Sequence, residues 1–245
     1  MPTLPPVTKA LMLICAVVYC LQALLPTLPV DALFALWPLG SGRFWPWQLV
    51  SYGLLHGSLA HLLLNMLGLW MFGSDLERLW GRDRYLQLIV ASTLTAALAQ
   101  LLVGVLLGAG GPTLGASGAI FGLLLAYGLM FPQRQFDLMG FLPMLLMMVP
   151  ITAVNMIGRV LFVVMIASRS ALPFLRPIPI RALTMVAIYG SVELFMGVTG
   201  TGAGVAHFAH LGGMLGAWLM INWWRGKLPF SGGSGGGSGG PRRRH

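Results

Sequence analysis

Charge is what this chain most lacks. Only 9% of its 245 residues are Asp, Glu, Lys or Arg, and only 6 are acidic, whereas soluble domains carry roughly 25% charged residues. That deficit excludes a soluble globular enzyme. With 57% hydrophobic residues and a mean hydropathy of +0.81, the chain reads as a polytopic membrane protein. Its length suits one bundle of about six or seven spans at about 20 residues each. The net charge of +9 would suit nucleic acid on its own. The Lys and Arg residues, however, sit in the connections between apolar runs, where they set orientation in the bilayer.

Other absences narrow the chemistry. There are two cysteines, Cys15 and Cys20, on one apolar segment. Five residues apart on a helix they point about 140° from each other, which argues against a disulfide and leaves them as packed or lipid-facing filler. The chain contains no HExxH, and no carboxylate accompanies either histidine pair within its span, so a zinc enzyme is disfavoured and no metal is expected. The nucleophile elbow of soluble hydrolases needs glycine two residues after the serine; here that position holds Ala119, and no strand precedes Ser117. No small-residue cleavage site follows residues 8–25, so this run reads as a first span and not as a cleaved leader.

What is present is a series of apolar runs. After residues 8–25, a loop at 26–48 holds Trp37, Trp45 and Trp47 with only Asp31 and Arg43 as charges, a composition suited to the headgroup level. Further spans are predicted at 58–72, 85–107, 117–131, 182–198 and 206–224, the last two joined by an uncharged turn at 199–204. Lys9, Arg78, Arg82, Arg84, Arg134, Arg176, Arg181, Arg225 and Lys227 alternate with connections poor in positive charge, which predicts both termini on the cytoplasmic side. Ser117, His210, His56 and the aromatic loop then lie toward the outer face. An extra apolar run at 137–170 contains Pro143, Pro150, Asn155 and Arg159. A single crossing there would put His210 on the opposite side from Ser117. A helix pair bent at a proline, or an interfacial helix, returning to the cytoplasmic side is therefore expected.

Four of the five histidines, with Ser117 and Asn65, lie inside or at the ends of these segments. Polar groups are expensive there and are functional candidates. Amide hydrolysis needs a nucleophile, a base for its proton and donors for the oxyanion. Ser117 lies in Gly115-Ala116-Ser117-Gly118, at a helix start whose amide N–H groups are unpaired and whose dipole favours negative charge. Gly118 and Gly122 also form a small-residue face, matched in the last span by Gly212, Gly213 and Gly216. That matching is expected to bring His210 to Ser117 as base, with His207, one turn earlier, as the rival. His61 and Asn65 are four residues apart and share one helix face, so both can donate to an oxyanion. His56 is read as structural, tying the loop to the helix, and His207 as structural if it is not the base. Glu193 is the only acid inside a predicted span. Interfacial solvation or a structural hydrogen bond is preferred for it over a third catalytic role.

Together, His56-Gly57-Ser58-Leu59-Ala60-His61 with Asn65, then Gly115-Ala116-Ser117-Gly118-Ala119-Ile120-Phe121-Gly122, then Ala209-His210-Leu211-Gly212-Gly213 resemble the rhomboid intramembrane serine proteases. Trp47-Gln48-Leu49 and Leu76-Glu77-Arg78 fit the same pattern. The resemblance covers about residues 8–224, with 137–170 outside it. It implies an all-α, six-helix transmembrane bundle with an extra apolar element after the fourth span. By resemblance Ser117 would be the nucleophile and His210 its base, a dyad without a carboxylate. His61, Asn65 and the Ser117 N–H would form the oxyanion hole. Gly115 would shape the loop where substrate lies, and Phe121 would pack on the His210 ring; some relatives carry Tyr there. The departures are the run at 137–170 and Ala217, where a second glycine often stands.

The function so implied is cleavage of transmembrane protein substrates within the lipid bilayer, near the outer face, with no cofactor and no nucleic acid. A lateral gate is expected between the second and fifth spans. The alternative is a non-catalytic rhomboid-like protein that binds membrane segments; such proteins typically lack the serine or the histidine, and this chain keeps both. Residues 1–230 are read as the transmembrane domain and 231–245 as a flexible Gly/Ser linker with a basic tail. The expected location is a bacterial inner (plasma) membrane.

Overall fold

The computed structural model describes residues 3–108, 111–148, 152–167, 177–199 and 206–227. The Gly/Ser tail, the turn after Thr199, and Pro150, Arg169 and Arg176 lie outside the described residues. Within them the chain is a helical membrane bundle with one short two-stranded ribbon. Helix α1 (Pro6–Leu24) and helix α9 (Ala182–Thr199) are each long and apolar enough to cross a membrane, as is the joined run Leu59–Leu107.

Helix α1 begins at a proline, a residue whose missing N–H costs nothing in a first turn. Its next amides are capped from a distance. Glu77 accepts from the Val7 N–H at 2.9 Å, the Thr8 N–H at 2.7 Å and the Thr8 hydroxyl at 2.7 Å. Arg78 meanwhile donates to the Thr3 carbonyl at 2.9 Å. Leu76 is fully buried. Leu76-Glu77-Arg78 thus works as a clamp on the N-terminal helix.

The aromatic loop carries helix α2 (Val30–Phe34) and helix α3 (Gln48–Ser51), with a 3-10 turn at Tyr52–Leu54 after them. Gln48, fully buried, is its hub. Its amide accepts from the Trp37 N–H at 3.2 Å and donates to the carbonyls of Leu33 at 3.2 Å and Arg43 at 3.1 Å. The Trp37 and Trp47 indoles donate to the Ala32 and Leu33 carbonyls, and the Arg43 guanidinium lies 4.8 Å from the Trp37 ring. An isolated bridge between Leu36 and Thr113 ties this loop to the chain just before Ser117.

Ser58 caps helix α4 (Leu59–Gly68), its hydroxyl accepting from the His61 N–H at 3.2 Å. A π-helical turn at Leu69–Gly73 runs on into helix α5 (Ser74–Leu107). The sequence suggested a connection around the Arg78–Arg84 charges. The structure instead stays helical on both sides of Gly81, whose φ of 75° makes the corner. Glycine adopts that conformation without steric cost.

Helix α6 (Ser117–Met130) is the centre of the bundle and is buried on nearly every face, as expected of a helix that is hydrophobic all round. Helix α10 (His207–Trp224) packs between α5 and α6 by a division of its glycines. A Cβ on Gly213 would meet the Gly118 carbonyl carbon at 2.7 Å, whereas one on Gly212 would meet the Thr95 carbonyl at 2.7 Å and one on Gly216 the Ala91 carbonyl at 2.7 Å. Only Gly213 therefore faces α6. The expectation that Gly212 and Gly216 also face it is corrected: they let α10 settle onto α5, because residues one and three positions away point around the helix.

The run after α6 forms a hairpin. Strands β1 (Gln135–Asp137) and β2 (Pro179–Arg181) pair antiparallel, with Phe136 opposite Ile180. Between them lie helix α7 (Leu138–Met148) and helix α8 (Thr152–Ala167). The ribbon makes entry and exit coincide, so the pair returns to the end it left, as expected. At 1.5 Å per residue α7 rises only about 16 Å, too short for a core of about 30 Å. Gly158 allows close contact, since a Cβ there would lie 2.8 Å from both the Pro143 carbonyl and the Met147 amide. Asn155 donates its amide to the Met147 carbonyl. Phe141 is buried, edge-on to Phe136 at 5.6 Å, and its carbonyl accepts from the Tyr189 hydroxyl at 3.4 Å.

Basic residues gather at one end of this bundle. Arg78 reaches the N-terminal Thr3, Arg84 lies 5.6 Å from the Trp224 ring, and the Arg134 carbonyl accepts from Ala182. Ser117 and His210 begin or lie near the start of helices whose far ends, Met130 and Trp224, are at that basic end. Cys15 is buried and Cys20 exposed, both as free thiols.

Candidate active site

Ser117 is the first residue of α6, and the loop before it is held in place. The Gly115 N–H donates to the Tyr52 carbonyl at 2.9 Å. Gly115 has φ +122°, and a Cβ there would meet the His61 Nε2 at 2.7 Å. Glycine is thus required twice at this position, for the backbone angle and for the approach of the imidazole. As the helix opens, the amides of Ser117 and Gly118 lack intrahelical acceptors.

His210, 93 residues downstream, places its Nε2 2.8 Å from the Ser117 Oγ. Phe121, one turn below Ser117, stacks on the His210 ring with centroids 4.2 Å apart and planes within 6°. The Gly213–Gly118 approach brings the two helices close enough for this stacking.

Of the two readings preferred for Glu193, solvation and a hydrogen bond, the structure keeps the second. The Glu193 side chain is 0% exposed, so interfacial solvation is ruled out. One carboxylate oxygen lies 2.7 Å from the His210 Nδ1 and the other 2.6 Å from the His207 Nδ1. The serine–histidine pair implied by resemblance, without a carboxylate, therefore has an acid behind it. The signal available in the sequence was Glu193 itself, the lone acid in a span. What the sequence did not show was that α9 turns it inward, toward two rings of α10.

His61 and Asn65 stand on one face of α4 and line the same cavity as Ser117, Gly115, Phe121 and His210, a space of about 880 Å³. The Asn65 Nδ2 is buried with no hydrogen-bond partner among the described residues. An unpaired buried donor costs stability and calls for an explanation. His56 is buried and packs edge-on to His61 with centroids 5.2 Å apart; its backbone N–H donates to Gln22 of α1 at 3.1 Å. It joins loop, first helix and fourth helix, and does not face Ser117.

Among the described residues, Glu193, His207 and His210 are the group of ligating side chains that approach closely enough to share a metal ion. Their nitrogen–oxygen separations of 2.6 and 2.7 Å are those of direct hydrogen bonds, and the remaining nitrogen of His210 is engaged by Ser117.

A helical membrane bundle with a serine at the mouth of a central helix and a histidine on the neighbouring one defines a polytopic membrane protein with a buried serine–histidine pair. Comparison carries this further. The model of the Rhomboid domain family matches residues 43–166, half of the chain, and the chain belongs to the rhomboid family. It is similar to the rhomboid protease GluP of Bacillus subtilis (strain 168), 38% identical over 78 residues, covering 32% of this chain and 14% of that protein. It is also similar to the rhomboid protease GlpG of Yersinia pestis (strain Pestoides F) and of Yersinia pseudotuberculosis serotype O:3 (strain YPIII). Each is 29% identical over 120 residues, covering 49% of this chain and 41% of the relative. The chain thus matches less than half the length of these relatives. The family match includes α7 and most of α8, which the motifs had set outside the resemblance. It ends before α9 and α10, so Glu193, His207 and His210 lie outside the matched residues.

Proposed function

We propose that this chain is an intramembrane serine endopeptidase, with Ser117 as nucleophile and His210 as its base. The observation that carries the reading is the 2.8 Å contact between the His210 Nε2 and the Ser117 Oγ. His210 takes the hydroxyl proton as Ser117 attacks a peptide carbonyl. The oxyanion that forms accepts hydrogen bonds from the Ser117 N–H, the Asn65 amide and the His61 ring, all from residues that line the cavity. His210 then protonates the leaving amine, and water, deprotonated by the same ring, releases the acyl-enzyme.

The substrates are transmembrane segments cut near the outer face. Helix α6, at about 21 Å, is shorter than a hydrocarbon core of about 30 Å, so a serine at its outer end lies below the membrane surface. Attack needs extended backbone, and lipid penalises the unpaired amides of an unwound helix. A cavity of about 880 Å³ lined by His61, Asn65 and helix-start amides offers those amides and carbonyls partners. The basic end faces the cytoplasm by the positive-inside rule, in a bacterial inner membrane, with both termini there. Residues 1–230 form the transmembrane domain, and 231–245 a flexible linker and basic tail.

A second reading has one observation in its favour. Phe141 and Met144 of α7 line the same cavity as Asn65 of α4 and Tyr189 of α9, and would crowd a membrane segment entering between those helices. A rhomboid-like protein that binds membrane segments without cutting them would tolerate that obstruction. The test is Ser117→Ala and His210→Ala, each purified with wild-type thermal unfolding and assayed on a single-span substrate in proteoliposomes. Loss of cleavage in both supports the protease. Binding of the segment by a wild type that never cleaves it supports the second reading, and full cleavage by Ser117→Ala removes the proposed nucleophile.

A further inference from the structure

We propose that Glu193 is a positioning residue that completes a serine–histidine–glutamate relay, with His207 as the brace that holds its carboxylate. The inference rests on the protease reading above. It starts from proton inventory. For the Ser117 hydroxyl to donate to the His210 Nε2, that nitrogen must present its lone pair, so the ring proton belongs on Nδ1. The Nδ1 faces a Glu193 oxygen at 2.7 Å, and a carboxylate can only accept there. Glu193 thus selects the productive tautomer.

The second contact does separate work. A carboxylate hydrogen-bonded through one oxygen is free to rotate about its last torsion. Here the other oxygen accepts from the His207 Nδ1 at 2.6 Å, one turn before His210 on the same helix, so both histidines grip one carboxylate from α9. When Ser117 gives its proton to Nε2, His210 becomes an imidazolium with Glu193 directly behind it, and no group need move to meet the new charge. Burying a carboxylate completely at a membrane depth is costly unless paired. Two histidines at hydrogen-bond distance meet that requirement, and a structural residue would not need one of them to be the base.

Other titratable or charged groups bear on the cluster. Tyr189 of α9, His61 of α4 and Arg159 of α8 line the same cavity as Glu193 and His210. Helix α6 contributes Ser117 and the stacked Phe121.

The test uses the full-length chain in detergent micelles and in proteoliposomes, comparing wild type with Glu193→Gln and Glu193→Asp. Three readouts are taken: labelling of Ser117 by a fluorophosphonate, kcat and KM on a single-span substrate, and the pH dependence of kcat. Glutamine keeps the shape but removes the negative charge and can offer an acceptor to only one of the two histidines. Loss of a comparable acid in serine proteases costs up to about 10⁴ in kcat. We expect Glu193→Gln to lose about a hundredfold or more in kcat and labelling rate with KM nearly unchanged. The acid limb of its profile should move to lower pH, because the imidazolium has lost its counter-charge. Glu193→Asp should recover part of the rate. Equal labelling rates and an unmoved pH profile in Glu193→Gln overturn the inference while leaving the protease reading intact. A wild type that Ser117→Ala matches in labelling overturns the protease reading instead. Should Glu193→Gln fail to fold, His207→Gln serves, since the relay predicts about a tenfold loss in kcat with a shifted pH profile, and wild-type values for both defeat it.

Discussion

Gly213 of α10 lies against Gly118 of α6 so closely that a methyl group on Gly213 would sit 2.7 Å from the Gly118 carbonyl carbon. The helix separation that places His210 beside Ser117 is set by this pair. Gly213→Ala must force the helices apart by a distance comparable to the overlap. Overpacking typically costs about 1–3 kcal/mol. We expect a lower unfolding temperature in detergent, together with loss of most serine labelling because the His210–Ser117 hydrogen bond is stretched. Normal labelling would show that helix separation does not govern the contact.

The Asn65 Nδ2 has no partner among the described residues, and His61 lies on the same helix face one turn away. If both donate to the oxyanion, Asn65→Ala and His61→Ala should each lower kcat about 10²–10³-fold, the range for one lost oxyanion donor, with little change in KM. Asn65→Ala should also be neutral or slightly stabilising, since it removes an unsatisfied buried donor. A variant that raises KM and leaves kcat alone would assign that side chain to substrate binding.

The Glu77 carboxylate caps α1 through three hydrogen bonds. Glu77→Ala removes all of them and leaves buried N–H groups of α1 unpaired. Loss of a helix cap costs about 0.5–2 kcal/mol, and more for charged acceptors. Thermal unfolding should fall by several degrees, while labelling of Ser117 in the folded fraction stays at the wild-type rate. A catalytic defect without destabilisation would contradict the clamp.

Phe141 and Met144 of α7 line the cavity together with residues of α4 and α9. If membrane substrates enter there, Phe141→Ala combined with Met144→Ala should loosen the obstruction and raise cleavage of a transmembrane substrate severalfold. A short water-soluble peptide should be cut at an unchanged rate. Chemical crosslinking of α4 to α9 should abolish the first activity and spare the second. Equal effects on both substrates would show that entry is not lateral.

Much of the molecule was legible in the order of its residues. Apolar runs of spanning length and charges gathered mostly in the connections give a helical membrane bundle, because the bilayer penalises unpaired backbone and exposed charge so heavily that composition alone reports it. The glycine-flanked Ser117, the His61–Asn65 spacing and the small residues around His210 likewise marked the site, since each depends on local backbone geometry or helix periodicity. The corner at Gly81 was not legible, because a single positive φ inside a helical pattern leaves no trace in hydropathy.

Tertiary structure decided the rest. Which glycines of α10 meet α6 and which meet α5 depends on the rotation of a helix buried on both sides, where every face is equally apolar. Whether the hairpin returned to its starting end depended on β1 meeting β2 across more than forty residues. The partners of Glu193 depended on the packing of α9 against α10. Sequence determined that a serine, a histidine and an acid would share a membrane interior; only the packing of helices decided that the acid stands behind the histidine, because direction around a uniformly apolar helix is fixed by its neighbours.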